Sequence, residues 1–145
     1  MQRALSVSVE RFPIAGGFVI SRGAKTEAVV VVAELRTADA RGRGECVPYA
    51  RYGESVESVV AAIESVRGEI EGGATRARVQ QLLPAGAARN ALDCALWDLE
   101  AKRSGRRAHL AAGLDRIAPA TTAFTLSLGT PEALAAAVAH AGHRP

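Results

Sequence analysis

The first third of the chain alternates apolar and polar side chains with the period of a β-strand. This alternation over Ala4–Phe12 predicts a strand with one buried face. Pro13 is predicted to end the strand, and the glycine-rich stretch Ala15–Gly23 to form a loop. A β-branched run within Thr26–Arg36 indicates the middle strand of a sheet, and Arg43–Val47 indicates the returning strand. Together these segments predict a three-stranded antiparallel meander.

Beyond the meander the apolar residues recur with helical spacing. One helix is predicted from Ser55, its N-cap, to about Ile70, and a shorter one from Thr75 to Pro84. The clearest pattern covers Ala87–Arg103, whose apolar residues fall on one face before Gly105 ends the helix. A further helical turn is predicted at His109–Ala112. Strands followed by helices are typical of the α+β class.

The last segment changes character again. A strand is predicted over Thr121–Leu128, then an N-cap at Thr130, a proline at the first helical position and a helix over Glu132–His140. A strand followed directly by a helix is the repeating unit of a parallel α/β architecture. One such βα unit leaves its sheet edge uncovered, so the pattern predicts that more of this architecture belongs after it.

Composition excludes several classes of protein. The chain has 145 residues, 48% of them hydrophobic, and a formal net charge of +3, which fits a folded domain rather than a disordered tail. No apolar run approaches the roughly 20 residues of a bilayer span, and no export signal is recognised, so we expect a cytoplasmic protein without a membrane partner. Arginines are scattered and aromatic residues make up only 4%, which argues against nucleic-acid binding. Cys46 and Cys94 are expected to be reduced, buried thiols.

Most familiar catalytic and ligand-binding motifs do not match this sequence. Gly42-Arg43-Gly44 lacks the third glycine and the following helix of a dinucleotide-binding loop. Asp93 and Asp98 are five residues apart, which is not one face of a helix, so we expect capping or ion-pair roles for them. Trp97 between them is expected to belong to the core.

Two loops are better candidates for binding, because loops on a rigid framework commonly carry binding residues. Arg22 lies in the predicted loop beside Phe18 and Ile20, and its guanidinium suits a carboxylate ligand. The second loop holds Tyr49, Arg51 and Tyr52. From the residues alone, ordinary surface arginines and loop-anchoring apolar side chains are the favoured explanation.

Several stretches resemble a known superfamily. Pro84–Lys102, PAGAARNALDCALWDLEAK, is similar to the helix signature of the mandelate racemase and muconate-lactonizing branches of the enolase superfamily, and Gly42–Pro48 to its third-strand motif. Within that branch, the loop sequences Ile20–Glu27 and Pro48–Ser55 resemble the dipeptide epimerases, most closely the L-Ala-D/L-Glu epimerases.

The resemblance implies an N-terminal capping domain, here residues 1–114, over a (β/α) barrel that begins with residues 115–145. It implies two barrel lysines that exchange the α-proton of the substrate, and carboxylates that hold Mg²⁺. Those catalytic and metal residues are expected beyond Pro145, so neither a catalytic residue nor a metal ligand is assigned within the chain. Alone, the chain is predicted to be inactive, and the intact enzyme to be a homo-oligomer.

The same resemblance assigns substrate-binding roles. Arg22 is expected to hold the glutamate carboxylate of an acidic dipeptide such as L-Ala-L-Glu. Thr125, near the end of the first barrel strand, is expected to meet the dipeptide backbone. Phe18, Ile20 and Tyr52 are expected to line the site. Two alternatives stay open: an N-acyl amino acid racemase or cycloisomerase of the same branch, and a non-catalytic binding or interaction module.

Overall fold

The computed structural model describes residues 3–20 and 23–142. Three strands, β1 (Ala4–Ile20), β2 (Gly23–Arg36) and β3 (Arg41–Cys46), form one antiparallel sheet in the order β1-β2-β3. β2 pairs with β3 in a register that sets Val31 opposite Cys46. The predicted meander, with its β-branched strand in the middle, is thereby confirmed.

The first two strands are longer than their sequence pattern predicts. The expected stop at Pro13 and the expected loop over Ala15–Gly23 are wrong, because β1 continues to Ile20 and β2 begins at Gly23. β1 is an edge strand, and an edge strand accommodates proline because one of its sides needs no ladder hydrogen bonds. Gly16 and Gly17 both have φ of +72°, a conformation that glycine adopts without steric cost. Ser21 and Arg22, which join the strands, lie outside the described residues.

Six helices follow in the described part of the chain. They are α1 (Val56–Ser65), α2 (Arg67–Glu71), α3 (Arg76–Leu82), α4 (Ala87–Ser104), α5 (Ala108–Ala111) and α6 (Pro131–Ala141), with a short 3-10 helix at Ala50–Tyr52. The side chains of Ser55, Thr75 and Thr130 accept hydrogen bonds at the starts of α1, α3 and α6 as predicted. Gly105 ends α4 in the left-handed conformation. None of these helices is both long and apolar enough to cross a membrane.

The helix predicted from Ser55 to about Ile70 is divided into α1 and α2. Val66 separates them with φ of −107° and ψ of 8°, and its N–H bonds to the carbonyl of Ile63 instead of the carbonyl four residues back. Its side chain is buried, as is that of Ile70. Because Val66 and Ile70 both belong to the core, the apolar spacing continues across the break, and helical periodicity does not reveal it.

In the core α4 packs against β3, and two glycines of β3 allow the contact. A Cβ on Gly42 would lie 2.3 Å from the carbonyl oxygen of Ala95, and one on Gly44 would lie 2.1 Å from that of Ala91. The backbones of β3 and α4 therefore touch directly. The apolar face predicted for α4 is buried as expected: Ala91, Leu92, Ala95, Leu96 and Leu99. The two glycines of the Gly-Arg-Gly motif therefore allow the close packing of β3 against α4.

The chain divides into two compact units, each described here by itself. The larger unit comprises Met1–Arg11 and Val29–Ile117, and the smaller unit comprises Phe12–Ala28 and Ala118–Pro145. Every buried side chain described belongs to the larger unit. The described residues of the smaller unit are exposed or only half-buried.

The strand predicted over Thr121–Leu128 is not formed, although α6 follows it as expected. A parallel strand needs a neighbouring strand for its backbone hydrogen bonds. The N–H of Leu128 donates to the carbonyl of Val19 at 3.0 Å, but the segment forms no ladder with another strand in the described part of the chain. One such bond does not make a strand.

Candidate functional site

A tyrosine-bearing loop follows β3 in the larger unit. Its short 3-10 helix ends at Gly53, whose φ of +75° closes the turn. The rings of Tyr49 and Tyr52 lie 5.6 Å apart between centroids, with 40° between their planes. Tyr52 is 77% exposed, so the loop presents this phenol at the surface. Tyr52 therefore lies where a ligand could reach it.

Glu54 fastens this loop to the start of α4. One carboxylate oxygen, Oε2, accepts the N–H of Tyr49 at 3.0 Å, and the other, Oε1, accepts the N–H of Ala87 at 2.7 Å. Gly86, the N-cap of α4, makes no side-chain cap, so Glu54 satisfies a helix-end N–H from a distant part of the chain. Our sequence analysis missed this residue. Its available signal was an 18-residue helix that starts at glycine without a capping side chain.

An open pocket of about 530 Å³ lies beside the loop. Its lining residues are Cys46, Val47, Tyr49, Tyr52, Glu54, Ala85, Gly86, Ala87 and Asn90. Burial, and secondarily the charge of Glu54, raises the pKa of Cys46 to about 11. The thiol therefore stays protonated near neutral pH, which suits packing and not nucleophilic chemistry. The amide of Asn90 donates to the carbonyl of Glu45 at 3.2 Å and ties this wall of the pocket to β3.

Three of the predicted site residues belong to the smaller unit. Phe18 and Ile20 are half-buried in β1 and flank Val19, whose carbonyl accepts the N–H of Leu128. Thr125 is exposed three residues before Leu128. This hydrogen bond brings the end of β1 to the segment that carries Thr125. Tyr52 lies in the larger unit, and Arg22 lies outside the described residues, so the role of Arg22 stays a prediction.

The acidic residues of α4 have different surroundings. Asp98 accepts the N–H of Arg43 at 2.8 Å and the ammonium of Lys102 at 2.6 Å. Burial alone would raise the pKa of Asp98, but these hydrogen bonds outweigh it and hold the pKa below its ordinary value. Its expected structural role is confirmed. In Asp93, the buried Oδ1 atom has no hydrogen-bond partner among the described residues.

Other candidate groups show no catalytic arrangement. Cys46 is buried as expected, but Cys94 is exposed, because it projects from α4 beside the apolar face and not within it. Trp97 is half-buried, with the guanidinium carbon of Arg76 3.4 Å from its ring centroid. Within residues 3–20 and 23–142, no group of three His, Cys, Asp or Glu side chains could hold a metal ion.

Several known proteins are similar to this chain over most of its length. The L-Ala-D/L-Glu epimerase of Escherichia coli (strain K12) is 49% identical over 133 residues, which are 92% of this chain and 41% of that protein. A solved enolase family member from Agrobacterium tumefaciens, with homology to dipeptide epimerases and with bound sodium and L-Ala-L-Glu, is 50% identical. The match has a TM-score of 0.91 and covers 99% of this chain and 44% of that chain.

A third relative carries magnesium. The dipeptide epimerase from Methylococcus capsulatus, complexed with Mg and the dipeptide L-Arg-D-Lys, is 30% identical, with a TM-score of 0.79 over 97% of this chain and 43% of that chain. The chain thus spans about two fifths of the length of these relatives. Residues 2–109 match the family described as mandelate racemase / muconate lactonizing enzyme, N-terminal domain. With this match over most of its length and with the sheet and helices in place, the chain belongs to that family.

Proposed function

We propose that the chain is the substrate-recognising N-terminal part of a dipeptide epimerase. The complete enzyme would invert the α-carbon of the C-terminal residue in dipeptides such as L-Ala-L-Glu. The observation that carries this proposal is the likeness, over nearly the whole chain, to the Agrobacterium structure that holds L-Ala-L-Glu. Residues 1–114 would act as the cap and residues 115–145 as the start of the barrel.

The reaction needs groups that the described residues do not offer. An α-proton beside a carboxylate is weakly acidic, so its removal calls for a base and for a cation that stabilises the enolate; Mg²⁺ would supply that charge. Lys102 is paired with Asp98. From the resemblance to the epimerases, we assign the lysines and the Mg²⁺ ligands to the part of the enzyme that this chain does not span, and substrate recognition to this chain.

Recognition would divide among the predicted residues by their chemistry. The guanidinium of Arg22 would hold the glutamate side-chain carboxylate through charge-assisted hydrogen bonds. Phe18 and Ile20 would cover the apolar part of the dipeptide, and the hydroxyl of Thr125 would meet its backbone. Tyr52, whose phenol is exposed in the larger unit, is proposed as a further substrate contact by the same resemblance. By the same resemblance the enzyme would be a cytoplasmic homo-oligomer acting on a small acidic substrate, with no nucleic acid or membrane as partner.

The test is a hybrid enzyme, in which this chain replaces the matching part of the Escherichia coli L-Ala-D/L-Glu epimerase. In D₂O with Mg²⁺, we expect the hybrid enzyme to exchange the glutamate α-proton of L-Ala-L-Glu, read as loss of that proton's NMR signal. The 145-residue chain alone should show no exchange above the buffer rate. A matched assay with N-acetyl-L-glutamate examines the racemase alternative. A folded hybrid enzyme that exchanges only the acetylated amino acid, or neither substrate, would refute the proposal.

A further inference from the structure

The tyrosine-bearing loop is closed locally by its own backbone. The N–H of Tyr52 donates to the carbonyl of Tyr49 at 2.9 Å, and the N–H of Gly53 donates to that of Ala50 at 3.0 Å. These bonds shape the turn, but each links residues of the loop to one another. They do not determine where the loop sits on the protein.

The carboxylate of Glu54 makes the connection to a rigid element. Its two oxygens accept one N–H from the loop, at Tyr49, and one from the first turn of α4, at Ala87. α4 buries seven side chains along its length, so its N-terminus is well fixed. A negative charge at that end is also favoured by the helix dipole.

Gly86, the N-cap of α4, lies directly beside the carboxylate. A Cβ on Gly86 would lie 2.9 Å from Oε1 of Glu54, and its φ of +159° lies in the range that side chains rarely adopt. The position before α4 is thus left clear for a carboxylate that arrives from the loop. The bridging hydrogen bonds and the absence of a side chain at Gly86 both identify Glu54 as the residue that joins the loop to α4.

We propose that Glu54 is a positioning residue, which holds Tyr52 in place for the substrate by pinning its loop to α4. This inference rests on the proposed function, in which Tyr52 faces the dipeptide. Glu54 itself does not need to touch the substrate. In Glu54→Gln, an NH₂ group replaces one carboxylate oxygen, so only one of the two N–H groups keeps its acceptor. The negative charge at the start of α4 also disappears.

The first measurement examines the anchor without any catalysis. Arg51 lies in the loop and is exposed, so trypsin can cut after it once the loop opens. In the 145-residue chain, Glu54→Gln is expected to accelerate cleavage after Arg51 by roughly tenfold. The reason is that losing one hydrogen bond to a charged group increases the population of the open loop by about that factor. The matched control is Glu57→Gln, which removes the same charge from the first turn of α1. Unchanged cleavage at Arg51 would overturn the inference.

The second measurement tests whether Glu54 acts through Tyr52. In the hybrid enzyme, Glu54→Gln should raise KM for L-Ala-L-Glu by roughly tenfold with little change in kcat. The same substitution should add little in a Tyr52→Ala background, because the positioned group is already gone. Additive effects, or a loss confined to kcat and Tm, would overturn the inference. If the unmutated hybrid enzyme shows no exchange, the proposed function fails, whereas an active hybrid enzyme with unchanged Arg51 cleavage defeats this inference alone.

Discussion

At the scale of single residues, Gly44 carries the closest backbone contact in the core. Any side chain there meets the backbone of α4, at 2.1 Å from the Ala91 carbonyl oxygen and 2.5 Å from the Ala95 nitrogen. We expect Gly44→Ala to lower the free energy of unfolding by about 3 kcal/mol or more, because β3 and α4 would have to separate. Urea unfolding followed by the fluorescence of Trp97 would measure the change.

Gly68 provides the matched control for this substitution. It lies within α2, and a Cβ there would meet nothing within 4 Å. Alanine loses less chain entropy than glycine on entering a helix, so Gly68→Ala should raise the free energy of unfolding by about 0.5–1 kcal/mol. Equal effects of the two alanines would show that the close contact at Gly44 does not limit stability.

The two cysteines should react at very different rates. With a pKa of about 11, Cys46 holds roughly one thiolate per thousand molecules at pH 8, and the group is also buried. Partial burial and the charge of Asp93 also raise the pKa of Cys94, but the residue is exposed. Iodoacetamide should therefore alkylate Cys94 first in the folded protein, as peptide mass spectrometry would show. Faster labelling of Cys46 would mean that β3 opens readily.

Arg22 is the residue on which substrate choice is expected to depend. A charge-assisted hydrogen bond contributes about 1.5–3 kcal/mol, so Arg22→Met in the hybrid enzyme should lower kcat/KM for L-Ala-L-Glu by roughly 10- to 150-fold. Dipeptides that end in an apolar residue have no carboxylate for the guanidinium and should lose less. Equal losses for both substrate types would give Arg22 a structural role.

At the scale of elements, an ionic cluster joins the start of β1 to the junction of α1 and α2. Glu71 accepts the N–H of Leu5 at 3.0 Å and the guanidinium of Arg67 at 2.9 Å, and Arg67 also pairs with Glu64 at 2.7 Å. The Leu5 N–H first, and then Arg67, lower the pKa of Glu71, while Arg67 lowers that of Glu64. Arg67 also donates to the carbonyl of Leu5.

These lowered values set the sign of the pH dependence. A carboxylate whose pKa is lower in the folded state stabilises the fold above its unfolded pKa, and the stabilisation is lost as pH falls through the folded value. The urea midpoint should therefore decrease below about pH 4.5, where unfolded glutamates begin to take up protons. Glu71→Gln should lower the midpoint at pH 7 and flatten the decrease. A midpoint of Glu71→Gln that follows the unmutated chain at every pH would exclude this cluster as the cause.

Local rules succeeded for elements whose stabilising groups are near in sequence. The caps Ser55, Thr75 and Thr130 follow from side chains within three residues of the N–H groups they bind. The rules failed where partners distant in sequence determine the secondary structure. Pro13 is tolerated because β1 is an edge strand. Thr121–Leu128 is not a strand because no partner strand pairs with it in the described structure. Glu54 escaped notice for the same reason, since its partner Ala87 is 33 residues away.

At the scale of the whole chain, the two units differ in burial and should differ in stability. The buried residues described belong to the larger unit. In the smaller unit, Phe124 is 62% and Leu128 is 52% exposed. Backbone amides with few buried contacts around them open readily. Hydrogen exchange at low protein concentration should therefore be fast over residues 118–142 and slow in α4.

The same hydrogen-exchange measurement can be repeated at increasing protein concentration. Exposed apolar side chains favour association with another chain, so protection over residues 118–142 should grow as the protein is concentrated. Strong protection that does not depend on concentration would show that this segment is stable in the single chain, contrary to our expectation.

The distribution of buried side chains also bears on how substrate preference could change. Phe18, Ile20 and Thr125, the proposed contacts to the dipeptide, lie in the unit that has no buried side chain among its described residues. Substitutions at such positions usually alter stability by no more than about 0.5 kcal/mol. On the proposed function, the positions that would select the ligand are therefore separate from the α4–β3 contact that maintains the fold. Substitutions at these positions would then alter dipeptide preference while the protein stays folded.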